Sequence, residues 1–342
     1  MKVVVAGATG AVGREMLRTL EARRFPVDEL IPLASARSEG VHLPFSGDQV
    51  AVRQLDRFGW EGVDIALFSA GAAVSKEHAP RAAGSGAVVV DNSSAWRMDP
   101  EVPLVIPEIN ADALQGHRGI VANPNCTAIT ALMAVAPLHR AAGVTSLVMS
   151  SYQSVSGAGQ KGIRELLEQV EKLRGHEDEL VSPDPSALPA GEVFGRTIAY
   201  NVVPRAGIFE DDGSTSEETK LANETRKILE LPDLPVSGTV VRVPTIAGHA
   251  VAVHATFSRG IGTDEARDVL AAFPGVEVVD DPARDVFPTP VDSAGRDEVL
   301  VGRIRQPEGQ PNVIALFAVG DNLRKGAALN AVQIAELLIR WG

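Results

Sequence analysis

Apolar residues along this chain fall into short unbroken runs separated by longer stretches with helical spacing. The first run is residues 3–6, all Val or Ala, followed by the turn Gly7-Ala8-Thr9-Gly10-Ala11-Val12-Gly13 and a segment from Ala11 to about Arg23. This pattern predicts strand, glycine-rich turn and helix. Further runs recur at 30–34, 63–69 and 87–91, with a helix-length stretch at 73–84 between the last two. Strands without alternating polarity, separated by helices, predict a parallel sheet covered on both faces. After residue 126 the pattern changes. Residues 127–142 read as a helix and 147–152 as a strand, and Ile163, Leu166, Leu167, Val170 and Leu173 form a stripe at spacings of three and four. Residues 175–191, with Pro183, Pro185 and Pro189 among acidic side chains, read as a long surface excursion. A helix is expected from near Ser214 to Leu229, then paired strands at 239–243 and 250–257, and another buried strand at 313–319. A closing helix runs from Leu323 to Trp341, with Leu329, Val332, Ala335, Leu337 and Leu338 available for burial.

The length of 342 residues implies about two domains, each able to bury a core. Hydrophobic residues at 45%, charged residues at 22% and a mean hydropathy of +0.06 describe an ordinary folded protein. The net charge of −12 repels phosphate backbones and anionic lipid at long range, so neither nucleic acid nor a membrane surface is an expected partner. No run approaches the roughly 18 apolar residues of a membrane helix, and Met1-Lys2 leads straight into a strand. The single cysteine, Cys126, excludes an intrachain disulfide and any multi-cysteine metal site. No metal is expected, and a reducing, cytoplasmic location is.

Gly7, Gly10 and Gly13 stand between a strand and a helix. The first permits a tight turn, the second lets the backbone approach a pyrophosphate at the helix N-terminus, and the third lets helix and strand pack closely. Dinucleotide binding is the reading that follows. Enzymes that use NAD place a carboxylate near the end of the second strand for the ribose 2′-hydroxyl. That place here reads Leu33-Ala34-Ser35-Ala36-Arg37-Ser38, with no carboxylate but with a cation and two hydroxyls suited to a 2′-phosphate. NADP is therefore preferred.

Cys126 sits in Asn123-Pro124-Asn125-Cys126-Thr127, where an extended segment meets a helix. The positive end of the helix dipole is expected to lower its pKa below the free value of about 8.5. From the local residues, a nucleophile and a small buried hydrophobe remain equal alternatives.

Taken together, these motifs resemble the aspartate-β-semialdehyde dehydrogenase family over nearly the full length. They are GATGAVG at 7–13, SARS at 35–38, DNSSAWRM at 91–98, PNCTA at 124–128, SYQSVSGAG at 151–159, EETK at 217–220, and Arg242 with His249. The resemblance implies NADPH-dependent reductive dephosphorylation of L-aspartyl-4-phosphate to aspartate semialdehyde and phosphate, on the route to lysine, threonine and methionine. It implies Cys126 as the acyl-thioester nucleophile and His249 as the acid/base. Gln153 and Arg242 match substrate-binding positions, Glu217 a substrate or active-site position, and Arg97 and Lys220 phosphate binders. Gly7, Thr9, Gly10, Ala11, Val12, Ser35, Arg37, Ser38, Ser156, Gly157 and Asn322 fall at the cofactor. The implied architecture is α/β: a Rossmann-type doubly wound parallel sheet at 1–125 plus 323–342, and a second α+β catalytic and dimerisation domain at 126–322. A homodimer is expected from the resemblance only. The alternatives are an N-acetyl-γ-glutamyl-phosphate reductase, an NADP-binding regulator without catalysis, and a cysteine hydrolase or acyltransferase.

The residue types suit that chemistry. A dianionic acyl phosphate needs cations, and Arg97 offers a planar fork where Lys220 offers a point charge. An α-carboxylate suits the guanidinium of Arg242. Asn125, or a backbone N–H at the helix start, is placed to steady an oxyanion. If Thr245 and Ile246 centre a hairpin loop, Arg242 and His249 face each other across its two strands. His254, within a strand, reads as structural. For Glu217 the rival reading is a capping box with Ser214, or an ordinary i, i+3 ion pair with Lys220.

Overall fold

The computed structural model describes residues 1–181, 184, 186 and 188–341. Its opening run, Lys2–Ala6 (β1), leads through the glycine-rich turn into Ala11–Ala22 (α1), and Glu29–Ala34 (β2) returns beside β1. A hairpin not foreseen from the sequence, His42–Phe45 (β3) with Asp48–Ala51 (β4), comes next, followed by Arg53–Gln54 (β5) and Ile65–Phe68 (β6). Ala72–Gly84 (α2), Val88–Asp91 (β7), Pro107–Asn110 (α3) and Ile120–Ala122 (β8) complete this half. The strands lie in the order β5-β2-β1-β6-β7-β8, all paired in parallel. Both faces are covered. Val3 and Val5 pack with Met16, Leu17 and Leu20 of α1, while Val4 and Ala6 pack with Ala79 and Ala82 of α2. That double burial is why β1 shows no alternation of polarity.

The second sheet begins after Cys126–Ala142 (α4). Its elements are Val144–Gln153 (β9), Gln160–Leu173 (α5), Ser216–Leu229 (α6), Val236–Arg242 (β10) and His249–Phe257 (β11). Thr263–Ala271 (α7), Val276–Val278 (β12), Pro290–Ser293 (α8), Val299–Arg305 (β13) and Val313–Gly320 (β14) follow. The order is β10-β9-β11-β14-β13-β12. The strands expected to pair with each other, at 239–243 and 250–257, do not: β9 lies between them, parallel to β10 and antiparallel to β11. Each run marks a buried strand, but the residues that link them pass over the end of β9, and strand order is not written in either run.

One face of this sheet packs on α4, where residues such as Ala131, Leu132 and Val135 meet Leu147, Val251 and Leu316. The other face is bare, with Val148, Tyr152 and His254 exposed and Tyr152 set against Phe317 at 5.9 Å. The excursion after α5 is more than surface loop. It carries the short turn Glu177–Val181, and its later part folds back so that Phe194, Ile198 and Ala199 bury against Leu166 and Leu173 of α5. Pro183 and Pro185 lie outside the described residues, whereas Pro189 lies within them.

The chain ends by returning to the first sheet. A π-helical turn at Arg324–Ala328 stands where a continuous helix was expected, then Leu329–Trp341 (α9) sets Ala331, Val332 and Ala335 against Val3 and Val5. Among the described residues, no helix is long and apolar enough to cross a membrane.

Candidate active site

A cleft of about 290 Å³ opens where the carboxyl ends of the parallel strands meet the α4 terminus and the end of the second sheet. Ligands of open α/β sheets bind at this end of the strands. Cys126, Asn125, Gln153, Arg97, Glu217, Lys220, Arg242 and His249, drawn from widely separated segments, all line it, together with Val12, Ser156, Gly157 and Asn322. A larger, mainly apolar hollow of about 660 Å³ lies at the opposite strand ends, by Met1, Val88 and Trp341, and has no such gathering of charge.

Cys126 is the first residue of α4, and Asn125 is its N-cap, with Oδ1 accepting from the Thr127 N–H at 2.9 Å. The Asn125 Nδ2 donates to Glu217 at 2.9 Å, so its carboxamide holds the helix start and the carboxylate together. Gly326 of the π-turn comes so close that a side chain there would press on the Cys126 Cβ, at 2.9 Å from an added methyl carbon. The expected drop in thiol pKa is overturned. Although part of Cys126 opens to the cleft, surrounding protein strips its solvation and pushes the thiol up to about 11, and the Glu217 carboxylate adds to the rise. Arg97, Arg242 and the Thr127 N–H oppose this without winning. Desolvation penalises an ion more than one helix end rewards it.

Gln153, Arg242 and His249 meet at one end of the second sheet. Arg242 pairs with Gln153 across β10 and β9, and His249 lies one residue beyond the Ala250–Tyr152 pair on the other flank of β9. The two therefore stand on either side of Gln153 and not opposite each other in a hairpin. Gln153 Nε2 donates to Thr127 Oγ1 at 2.7 Å, tying this sheet end to α4. A Cβ on Gly157 would fall 2.8 Å from Arg242 Nη1 and 3.2 Å from the His249 ring, so any side chain there would press on both groups. His249 is fully buried and anchored through Nδ1, which lies 3.2 Å from the Ser154 N–H and 3.0 Å from Ser154 Oγ. Nε2 has no hydrogen-bond partner among the described residues. Burial, then the Arg242 charge, holds the imidazole well below its ordinary pKa, so it is neutral at pH 7. Asn322 locks this corner, its Oδ1 accepting from Gly248 N–H and Ser154 Oγ, both at 3.0 Å, while its Nδ2 donates to Ser156 Oγ at 2.9 Å.

Helix α6 supplies the remaining charges. The capping box sits one residue later than expected: Glu218, not Glu217, reaches back to accept from the Thr215 N–H at 2.6 Å. Glu217 is thereby free to accept from Lys220 Nζ at 2.6 Å as well as from Asn125. Burial works against its charge, but Lys220 and Asn125 outweigh that and hold the carboxyl below its usual pKa. Sequence reasoning missed Glu224, which is 1% exposed and pairs with Arg97 at 3.0 Å. A signal was present, since residues 217, 220, 224 and 227 recur at helical spacing as one charged stripe. Ser154 carried no such signal, since its role depends on where His249 lands.

The cofactor-type residues flank the cleft. Gly7 has φ +85°, and a Cβ there would lie 2.4 Å from the Ser69 carbonyl; one on Gly13 would lie 2.2 Å from the Gly7 carbonyl. Neither of these two positions has room for a side chain, and the N–H groups of Ala11 and Val12 precede the first helical bond, Arg14 to Gly10 at 3.0 Å. This is the donor set a pyrophosphate requires. The turn is tied to the end of β2 by Gly7 and Ala8 N–H groups donating to Leu33 O. Just beyond, Ser35 and Arg37 are exposed, with Ser38 half-buried.

Comparison with known proteins agrees with this arrangement. The semialdehyde dehydrogenase NAD-binding domain family matches residues 2–117, and the semialdehyde dehydrogenase dimerisation domain family matches 135–325. The aspartate-semialdehyde dehydrogenase of Streptomyces akiyoshiensis is 50% identical over 342 residues, covering 99% of this chain and 98% of its own. That of Aquifex aeolicus is 46% identical over 345 residues, covering 100% and 98%. The crystal structure of aspartate semialdehyde dehydrogenase II from Vibrio cholerae, complexed with ASA, superposes with a TM-score of 0.93 at 45% identity, covering 99% of this chain and 98% of that one. With a dinucleotide-type turn, a thiol at a helix start and a buried imidazole gathered in one cleft, and with matches of this length and identity, the chain belongs to the aspartate-semialdehyde dehydrogenase family of enzymes.

Proposed function

We propose that the protein catalyses the reversible, NADPH-dependent conversion of L-aspartyl-4-phosphate to L-aspartate-4-semialdehyde and phosphate through a thioester on Cys126. It would serve lysine (by way of diaminopimelate), threonine and methionine biosynthesis in the cytoplasm. The observation that carries this reading is the meeting of one thiol, one neutral imidazole and the cations Arg97, Lys220 and Arg242 in a single cleft. Arg97 and Lys220 bind the phosphoryl group, Arg242 takes the α-carboxylate, and the Glu217 carboxylate suits the α-ammonium. Cys126 attacks the acyl carbon, its proton passes to His249 Nε2, and the C–O bond to phosphate breaks to leave a thioester. The Asn125 amide and the backbone N–H at the start of α4 face the developing oxyanion, and Gln153 holds the sheet end in place. When bound, the cofactor supplies the hydride that reduces the acyl group. His249 then gives its proton to the hemithioacetal oxygen, takes it back as the C–S bond breaks, and returns it to the thiolate as the aldehyde leaves.

Residues 1–125 with 323–342 are proposed to hold NADP, and 126–322 to bind substrate and dimerise. Gly7, Thr9, Gly10, Ala11 and Val12 would cradle the pyrophosphate, Ser35, Arg37 and Ser38 the 2′-phosphate, and Ser156, Gly157 and Asn322 the nicotinamide end. Purified protein given aspartate semialdehyde and NADP⁺ should form NADPH only when phosphate or a close analogue is present. Turnover independent of phosphate, or none, would overturn the reading.

Cofactor choice has its own test. Arg37→Glu turns an attraction into a like-charge contact, so kcat/KM with NADP⁺ should fall by roughly tenfold or more while NAD⁺ activity holds or improves. The comparison belongs at low ionic strength, where an exposed charge is least screened. An equal loss with both cofactors removes Arg37 from the 2′-phosphate site. The bare sheet face at Val148 and Tyr152, with exposed Tyr200, Val202, Ile208 and Phe209 in the segment that Val203 ties to Arg242 at the end of β10, supports a homodimer. Light scattering should return the mass of two chains, and a stable monomer would refute it.

A further inference from the structure

We propose that Glu224 is a positioning residue that sets the geometry of the phosphate-binding guanidinium and of the nucleophile's helix with a single buried carboxylate. The proposal rests on the reading of Arg97 as the phosphate binder. One carboxylate oxygen accepts from Arg97 Nη1 at 3.0 Å, and the other accepts from the backbone N–H of Asn125 at 2.6 Å. Asn125 is the N-cap residue directly before Cys126. Arg97 is otherwise held by carbonyls, with Nε donating to Asn123 O at 2.9 Å and Nη2 to Asn92 O at 3.0 Å. A guanidinium has five N–H donors, and the fixed frame takes one from each nitrogen. One hydrogen on each terminal nitrogen is left, which is the fork an anion's two oxygens require. Glu224 decides which way that fork points.

Lys227, one turn further along α6, strengthens the case. Its ammonium donates to the carbonyls of Arg97, Asp99 and Val102 at 2.8, 2.7 and 2.9 Å, so the same helix face clasps the Arg97 loop twice. If Glu224 served only to neutralise Arg97, its second oxygen would not need to reach the cap of α4. A glutamine at this position loses one contact, because its NH₂ would confront either a guanidinium N–H or a backbone N–H, and weakens the other, because a neutral amide oxygen accepts less strongly than a carboxylate.

In Glu224→Gln the KM for phosphate should rise about tenfold or more, the cost expected from losing a charge-assisted contact, with the KM for NADP⁺ unchanged. Alkylation of Cys126 by iodoacetamide at fixed pH, which needs no turnover, should quicken by about threefold or more as the cap loosens. In an Arg97→Ala background the phosphate effect of Glu224→Gln should vanish while the alkylation effect persists, since only the first acts through Arg97. A lower phosphate KM, which simple charge removal would produce, overturns the proposal, and so does a folded variant with both readouts at wild-type values. If wild type itself shows no phosphate-dependent turnover, the functional reading fails, and unchanged alkylation in the variant would then refute the helix-cap role separately. Should Glu224→Gln not fold, Glu224→Asp keeps the charge, spans only one contact and carries the same test.

Discussion

Cys126→Ala is expected to abolish turnover, a loss of about 10⁴-fold or more, while NADPH binding stays near the wild-type value. In the proposed mechanism the thiol forms the covalent bond, whereas the dinucleotide would rest on the turn at 7–13, whose geometry depends on Gly7 and Gly13 packing against Ser69 and each other. Wild-type protein quenched with aspartyl phosphate in the absence of NADPH should carry an acyl adduct on Cys126 by mass spectrometry. An adduct elsewhere, or an active alanine variant, would end the thioester mechanism. Because the thiol lies near 11 without substrate, its alkylation should climb roughly tenfold per pH unit through the neutral range. A plateau below pH 8 would mean that a thiolate already stands in the resting site.

The second large effect is expected at His249. Removing a general acid/base costs about 10²–10⁴-fold in kcat, so His249→Asn should fall in that range with the Cys126 adduct still forming, more slowly. An unchanged kcat would return His249 to a structural role. Its ionisation also makes a stability prediction. The native pKa is depressed by burial and by Arg242, while the unfolded ring titrates near 6.5. As pH falls below about 6.5 the unfolded chain takes up a proton that the native one refuses, so stability declines with falling pH in that window. Urea melts from pH 7 downward should show a steeper decline for wild type than for His249→Asn. Equal slopes would show that the buried imidazole does not titrate this way.

Much of the first sheet was legible because its rules are local. A strand buried on both faces must be apolar at every position, and a turn that touches both a neighbouring carbonyl and a helix must be glycine, as at Gly7 and Gly13. The α4 start was legible for the same reason, since an Asn before a helical run caps it. The bare face of β9, with Val148 and Tyr152 exposed, hid from this reading because its apolar residues look like core.

By itself, then, the sequence determined the glycine turn, the alternation of strand and helix, the thiol at a helix start, and the residue types that a dianionic, reducible substrate requires. These follow from steric and burial rules that act within a few residues. Only the tertiary structure decided that β9 separates Arg242 from His249, that Glu218 takes the cap and releases Glu217 toward Asn125, and that Glu224 joins Arg97 to the start of α4. It also reversed the direction of the Cys126 pKa. The physical reason is shared: strand order, ion pairing and desolvation depend on which distant segments meet, and desolvation in particular is set by everything packed around a group and not by its neighbours in the chain.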